Sequence, residues 1–219
     1  MKNIIITGCS RGIGLATISL LAKNKDYNII GTSTSGKHTL KTSNFQIFKL
    51  DLSQETSIND FVKQLEGVKI DSLINNAGVL LEDWNVSAIN LEQLKQTFDV
   101  NLFGTIRLTE NLLPNFKRHA HIINVTSEWG AFSDPNFDAF QPHYKMSKAA
   151  LNMYTKLLAK RLENKPILVS ALDPGWTQTD MGGQAASRQP EAVAQDILNL
   201  LDSDVVSGQF WHNGQVRPW

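Results

Sequence analysis

Short apolar runs alternate with amphipathic stretches along the whole chain. Residues 3–7 include three consecutive isoleucines, the pattern of a strand buried on both faces in a parallel sheet. Similar runs predict further strands at 27–32, 45–50, 71–75, 121–125, 166–172 and 209–212. Apolar positions at helical spacing predict helices from the first glycine-rich turn to about 23, and at about 54–65, 91–112, 144–163 and 190–201. This alternation predicts an α/β fold in one domain, residues 1–219, with a doubly wound, mostly parallel sheet of about seven strands and helices on both faces.

Composition narrows the class of protein. Lys plus Arg and Asp plus Glu number 21 each, and no basic run stands out, so we expect neither nucleic acid nor an anionic membrane as a partner. No apolar stretch approaches the length of a membrane span and no signal-peptide pattern precedes residue 3, so we expect a cytoplasmic protein. The single cysteine, Cys9, excludes an intramolecular disulfide and a multi-cysteine metal site, and we expect no metal.

A glycine-rich turn directly follows the first predicted strand and precedes a predicted helix. Free backbone N–H groups at a helix N-terminus attract anions, and glycines let the backbone approach a pyrophosphate. The glycine spacing differs from the commoner G-x-G-x-x-G, and a plain tight turn is the ordinary alternative. The strand–helix context favours dinucleotide binding by Gly8, Ser10, Arg11, Gly12, Ile13 and Gly14.

The second predicted strand ends in hydroxyl side chains, Ser33 and Thr34, where an NAD enzyme usually carries an acidic residue. Together with Arg11, these hydroxyls suit a 2′-phosphate, which favours NADP(H) over NAD(H). The alternative is a turn that is merely polar.

Polar residues also follow later strands or interrupt an apolar helix face. Asn75 and Asn76, followed by Ala77 and Gly78, suit hydrogen bonds that brace strand ends or hold a ribose; an ordinary Asn/Gly turn is the alternative. Asn101 lies near the apolar face of its helix and is either a satisfied core amide or an anchor for a functional water. Ser127 follows the fifth strand, where its hydroxyl suits a substrate carbonyl or simple turn chemistry.

Tyr144 and Lys148 lie four residues apart at the start of a predicted helix and therefore face the same way. An ammonium near a phenol lowers the phenol's pKa, and bringing that pKa from about 10 to about 7 takes roughly 4 kcal/mol. Such a phenol is a general acid and base near neutral pH. Pairs of this kind also arise by chance in helices.

Together these motifs resemble the short-chain dehydrogenase/reductase family. The resemblance covers nearly the whole chain and rests on motifs that fall in the family's order: Thr7-Gly8-x-x-x-Gly12-Ile13-Gly14, Asn75-Asn76-Ala77-Gly78, Asn101, Ser127, Tyr144-x-x-x-Lys148 and Pro174-Gly175. Features after Gly175 and the terminal Pro218-Trp219 resemble the subgroup of C-factor signalling proteins and sniffer-type carbonyl reductases.

The resemblance implies a Rossmann fold and an NADP-dependent enzyme that moves a hydride between nicotinamide and a carbonyl or alcohol. It implies that Tyr144 is the general acid and base, that Lys148 lowers its pKa and holds the nicotinamide ribose, and that Ser127 binds the carbonyl. It also implies that Asn101 anchors a water relay. Further cofactor contacts implied by the family pattern are Asp51, Leu52, Pro174, Gly175, Thr177 and Thr179.

The chain departs from the family pattern by a longer interval between Ser127 and Tyr144 and a short segment at 182–188. We therefore expect an open pocket walled by Trp129, Phe140 and Trp176 that accepts a bulky, apolar small-molecule carbonyl or alcohol. Relatives also lead us to expect a homodimer or homotetramer. The alternative function is an NADP(H)-binding regulatory or signalling protein of C-factor type with incidental reductase activity.

Overall fold

The computed structural model describes all of residues 1–219. Its strands are β1 (Lys2–Ile6), β2 (Tyr27–Ser33), β3 (Phe45–Lys49), β4 (Ile70–Asn75), β5 (Phe116–Val125), β6 (Ile167–Leu172), β7 (Gln209–His212) and β8 (Gln215–Arg217). Its α-helices are α1 (Gly12–Leu21), α2 (Glu55–Gln64), α3 (Leu91–Phe98), α4 (Thr105–Leu112), α5 (Pro142–Arg161) and α6 (Pro190–Asp202). No helix among them is long and apolar enough to cross a membrane.

All eight strands belong to one sheet, in the order β3-β2-β1-β4-β5-β6-β7-β8. Every pairing is parallel except the antiparallel pair β7 and β8. The strand order reverses between β1 and β4, and ligands of open α/β sheets bind at the carboxyl ends of strands beside such a reversal. The predicted fold class is confirmed, and the fold places the candidate site at this edge.

Alternating side chains of the strands fill two opposite cores. Ile4 and Ile6 of β1 belong to a cluster with α1 and α6, whereas Ile5 belongs to a cluster with α2 and α4. Leu158 of α5 and Leu162, which directly follows α5, pack on β5 and β6 on the same face as α2 and α4. Burial on both faces explains why the strands read as continuous apolar runs.

Two elements differ from the sequence prediction. The helix predicted over 91–112 is interrupted by a π-helical segment, Asp99–Gly104. A Cβ on Gly104 would lie 2.1 Å from the carbonyl oxygen of Leu52, so the glycine allows close packing against the chain after β3. An eighth strand, β8, was absent from the prediction because its three residues carry no strand pattern of their own.

Candidate functional site

A cavity of about 410 Å³ lies along the carboxyl ends of β1, β2 and β4. Of the residues predicted to bind a cofactor, all but Asn75, Gly175 and Thr177 line it. The lining includes eight residues that the sequence analysis did not name: Thr32, Leu50, Val79, Val100, Val125, Thr126, Asp180 and Met181. Most of these adjoin a predicted position, so extending each motif by one or two residues identifies them.

Glycine contacts shape the floor of this large cavity. A Cβ on Gly8, whose φ is +68°, would lie 2.8 Å from Cα of Ala77, and one on Gly14 would lie 2.2 Å from the carbonyl oxygen of Gly8. Arg11 precedes α1 without a side-chain capping bond. The first N–H groups of α1 therefore have no side-chain acceptor from that position, which suits an anion.

Hydrogen bonds of Asn76 hold the glycine-rich turn after β1 in place. Its Nδ2 donates to the carbonyl oxygens of Thr7 and Gly8 at 2.9 and 3.1 Å, while the Thr7 hydroxyl accepts from the backbone N–H of Asn76 and Ala77, each at 3.0 Å. The chain after β4 thereby fixes the turn after β1.

Asn75 does not line this cavity. Its buried Nδ2 donates to Thr109 Oγ1 at 3.0 Å and to Asn124 Oδ1 at 2.8 Å. Asn124 donates in turn to Thr155 Oγ1 at 2.9 Å. Of the two roles considered for Asn75, the structure supports bracing between β4, β5 and the neighbouring helices.

The end of the large cavity beside β2 carries hydroxyls and one arginine. Ser33 and Thr34 line it together with Arg11. The exposed guanidinium of Arg11 contacts the carboxylate of Asp180 at 2.5 Å. Asp51 Oδ1 accepts from the backbone and the hydroxyl of Ser53 at 3.0 and 2.7 Å. Arg11 is the only lysine or arginine that lines this end, and its side chain is 71% exposed, so its ion pair with Asp180 contributes little to stability.

Tyr144 and Lys148 are both buried on the first turns of α5 and both line the large cavity. Lys148 Nζ donates to the carbonyl oxygen of Val125 at 2.9 Å and lies 5.5 Å from the centre of the Tyr144 ring. The two side chains face the same way, as the four-residue spacing predicts.

A second cavity of about 110 Å³ adjoins the first, and Tyr144 lines both. Ser127 lines the second cavity, as do Gly175 and Thr177. Three indoles surround it: Trp84, Trp129 and Trp176. The Trp129 ring contacts Trp84 and Tyr144 edge-on, with centroids 5.9 and 6.1 Å apart. The prediction of Phe140 as a wall is wrong, because Phe140 lies outside the lining and Trp84 takes that role.

The acid–base properties of Tyr144 differ from those expected from its spacing to Lys148. Burial raises the pKa of Tyr144, the Ser127 hydroxyl opposes this by a hydrogen bond, and the carboxylates of Asp173 and Glu82 raise it further. Burial lowers the pKa of Lys148 to about 8. The expected lowering of the phenol's pKa is therefore wrong for the chain alone: loss of hydration outweighs the nearby amine.

Asn101 is a satisfied buried amide on the π-helical segment. Its Oδ1 accepts from the Val79 N–H at 2.8 Å, and its Nδ2 donates to the Val79 carbonyl at 2.9 Å and to Ser147 Oγ at 3.1 Å. A Cβ on Gly78 would lie 3.3 Å from Asn101 Oδ1 and 3.6 Å from Lys148 Nζ. Asn101 thus fixes the chain after β4 beside Lys148, and it does not line either cavity.

An ionic cluster of Asp173, His212 and Arg217 borders the second cavity, and the sequence analysis did not predict it. Asp173 lines this cavity and contacts Arg217 of β8, while His212 Nδ1 lies 3.0 Å from its carboxylate. Burial alone would raise the pKa of Asp173, but the hydrogen bonds from His212 and Gly175 and the charge of Arg217 hold it below its ordinary value. The contact with Asp173 raises the pKa of His212. No local pattern in the sequence joins residues 173, 212 and 217.

The fold and the glycine-shaped cavity define a Rossmann-type α/β protein. The family model for short chain dehydrogenase matches residues 2–190. The chain therefore belongs to the short-chain dehydrogenase/reductase family of oxidoreductases.

Individual relatives support the subgroup that the motifs indicated. The chain is 34% identical to C-signal of Myxococcus xanthus over 155 residues, which cover 68% of this chain and 93% of the relative. It is similar to the structure of carbonyl reductase Sniffer of D. melanogaster, with a TM-score of 0.89, 27% identity and full coverage of both chains. It is also similar to NADPH-bound carbonyl reductase from chicken fatty liver, with a TM-score of 0.88, 26% identity and coverage of 100% of this chain and 99% of that one.

The contact between His212 and Asp173 predicts a pH-dependent stability. Because the folded-state pKa of His212 is raised, its contribution is fully present below the ordinary pKa of 6.5 and is lost as pH rises through the folded value. We expect His212→Asn to destabilise the protein more at pH 6 than at pH 9 in urea unfolding. The exposed His119, replaced by Asn, is the control. An equal destabilisation by His212→Asn at both pH values would contradict the charged contact.

Proposed function

We propose that this protein is an NADP-dependent oxidoreductase that transfers a hydride between the nicotinamide and a carbonyl or alcohol, with Tyr144 as general acid and base. The observation that carries the proposal is the position of the Tyr144 side chain on the boundary of two cavities. One cavity has the glycine-lined floor suited to a dinucleotide, and the other is small and aromatic. A proton donor at this boundary can reach a substrate that is placed against a cofactor.

The residues present fit a dinucleotide. The close approach of Gly8 to Ala77 leaves no room for a side chain at position 8, and the start of α1 offers N–H groups and a positive dipole end to a pyrophosphate. When bound, the nicotinamide supplies or accepts the hydride. Lys148, beside Tyr144 and lining the same cavity, is proposed to hold the nicotinamide ribose.

The protein's own groups handle the proton. A buried Tyr144 whose pKa is raised stays protonated at neutral pH, so it is suited to donate its proton to the oxygen of a carbonyl during reduction. Ser127 lines the second cavity together with Tyr144 and is proposed to hold the carbonyl oxygen by a hydrogen bond. Asn101 is proposed to support the proton relay through its position beside Lys148, rather than through substrate contact.

A preference for NADP(H) follows from the charge at the adenosine end. Arg11, Ser33 and Thr34 line the cavity together, and β2 ends without a carboxylate that would repel a 2′-phosphate. Arg11 pairs with Asp180 across an exposed surface, where an ion pair contributes little. A phosphate dianion can therefore replace Asp180 as the partner of Arg11 at small cost.

The walls of the second cavity favour an apolar substrate. Trp84, Trp129 and Trp176 offer ring faces and edges, and Leu80 and Met181 add aliphatic surface. Burial of such surface contributes about 25 cal/mol per Å². We therefore propose apolar aldehydes or ketones as the substrate class, in preference to polar sugars.

The similarity to C-signal supports a second candidate, a dinucleotide-binding regulatory protein with incidental reductase activity. Tight NADPH binding without turnover of any carbonyl would favour it. The buried Tyr144 and Lys148, both placed on the cavity, favour the enzyme.

Replacing Tyr144 tests the proposed chemistry. With NADPH and a panel of aromatic ketones, long-chain aldehydes and polar sugars, we expect turnover of the apolar members. Tyr144→Phe should lower kcat/KM by about 10²–10⁴-fold, because the proton donor is lost, while NADPH affinity changes little. Tyr27→Phe, which removes a hydroxyl bonded to Asp202 far from the site, is the control. Equal turnover by wild type and Tyr144→Phe would contradict the role of Tyr144, and turnover of sugars alone would contradict the substrate class.

Arg11→Gln tests the cofactor preference. Loss of a charge-assisted bond to a 2′-phosphate should weaken NADPH binding by about 10-fold or more, with little effect on NADH. Fluorescence titration of both cofactors measures this. Arg107→Gln, at an exposed arginine of α4 paired with Glu55, is the matched control. Equal weakening of NADPH and NADH would show that Arg11 does not recognise the 2′-phosphate.

A further inference from the structure

Two completely buried titratable side chains meet beside Tyr144, and neither contacts the substrate or cofactor in the chemistry proposed above. Glu82 lies in the loop between β4 and α3, and His143 directly precedes Tyr144 on α5. Both side chains have 0% exposure, and His143 Nδ1 lies 3.1 Å from Glu82 Oε1. Burial of such a pair is costly unless the surroundings compensate for lost hydration.

Glu82 also binds the backbone of Tyr144. Its Oε1 accepts from the Tyr144 N–H at 3.0 Å. The N–H groups in the first turn of a helix have no partner within the helix, and Gln141, which precedes α5 with φ +49°, gives no side-chain capping bond. Glu82 therefore serves as the cap for the residue that bears the phenol, from a position 62 residues away in the sequence.

His143 connects Asn90 with the surroundings of Glu82. Its Nε2 accepts from the backbone N–H of Asn90 at 3.0 Å, and its Nδ1 lies 3.1 Å from Glu82 Oε1. His143 Nδ1 and Glu82 Oε2 are buried without a hydrogen-bond partner of good geometry.

Further hydrogen bonds attach the loop after β4, which forms one wall of the second cavity, to the start of α5. Asn90 caps α3 by accepting from Glu92 and Gln93. Gln141 donates from its backbone to the Val86 carbonyl at 2.9 Å and from its side chain to the Asp83 carbonyl at 3.3 Å. The loop between these points carries Trp84, which lines the second cavity.

We propose that Glu82 and His143 are positioning residues for Tyr144: Glu82 fixes the Tyr144 backbone by accepting from its N–H, and His143, bonded to Asn90, holds the Glu82 carboxyl group beside the Trp84 loop. The proposal rests on the proposed role of Tyr144 for its catalytic part only. Its geometric part concerns the folded chain and is tested without turnover.

Amide hydrogen exchange of Tyr144, followed by NMR on the full chain, tests the geometry. Glu82→Gln keeps an acceptor at Oε1 and should preserve protection, whereas Glu82→Ala should accelerate exchange of this amide by about 10-fold or more. The exposed neighbour Asp83→Asn is the matched control. Unchanged protection in Glu82→Ala would overturn the backbone role. If Glu82→Ala does not fold, Glu82→Asp, whose carboxylate is one methylene too short, takes its place with the same expected acceleration.

Steady-state kinetics of carbonyl reduction test the catalytic part. Glu82→Ala should lower kcat by about 10-fold with little change in NADPH affinity, whereas Glu82→Gln, which keeps the acceptor at Oε1, and Asp83→Asn should keep the wild-type kcat. A wild-type kcat in Glu82→Ala would overturn the positioning role. An absence of turnover in wild type would count against the proposed function, and the amide-exchange result would still decide the geometric part.

Discussion

The burial of the Tyr144 phenol between two cavities is the constraint on which the site depends. Loss of hydration raises the pKa of this phenol and lowers that of Lys148 to about 8. Burial therefore disfavours both the phenolate of Tyr144 and the ammonium of Lys148. The surrounding carboxylates of Asp173 and Glu82 act in the same direction on Tyr144. In the chain alone, the Tyr144 phenol is therefore held in its protonated form, which supports its proposed role as a proton donor in reduction of a carbonyl.

Sheet topology brings the remaining groups to this phenol. The reversal of strand order between β1 and β4 opens a crevice, and the chain after β4 closes its floor through Asn76 and Ala77. The π-helical segment adds Asn101, which fixes Val79 beside Lys148. Short π-helical segments are frequent at functional sites because they re-aim one side chain without ending the helix.

The sequence predicted the fold and most of the cavity because both depend on local patterns. Isoleucine runs identified the buried strands, and the glycines after β1 identified the turn whose contacts leave no room for a Cβ. The predicted lowering of the Tyr144 pKa was wrong because spacing reveals the distance to Lys148 but not the loss of hydration. The assignment of catalytic and cofactor roles to individual residues remains a prediction.

Contacts between residues far apart in the sequence could not be predicted, because they leave no local pattern in it. Glu82 reaches Tyr144 across 62 residues, and Arg217 reaches Glu128 across 89. Each residue is an ordinary polar residue in its own segment, and only the folded chain shows that it faces the site. The π-helical segment also has no distinct sequence period, since its neighbours continue the apolar face of one helix.

The central claim is hydride transfer from a cofactor held beside Tyr144 to a carbonyl carbon. Its most direct test is a single turnover with NADPH deuterated at both C4 positions and an apolar ketone, followed by mass spectrometry of the alcohol. The account predicts one deuterium at the carbinol carbon, transferred by wild type and strongly reduced in Tyr144→Phe. An alcohol without deuterium, or no alcohol despite bound NADPH, would contradict it.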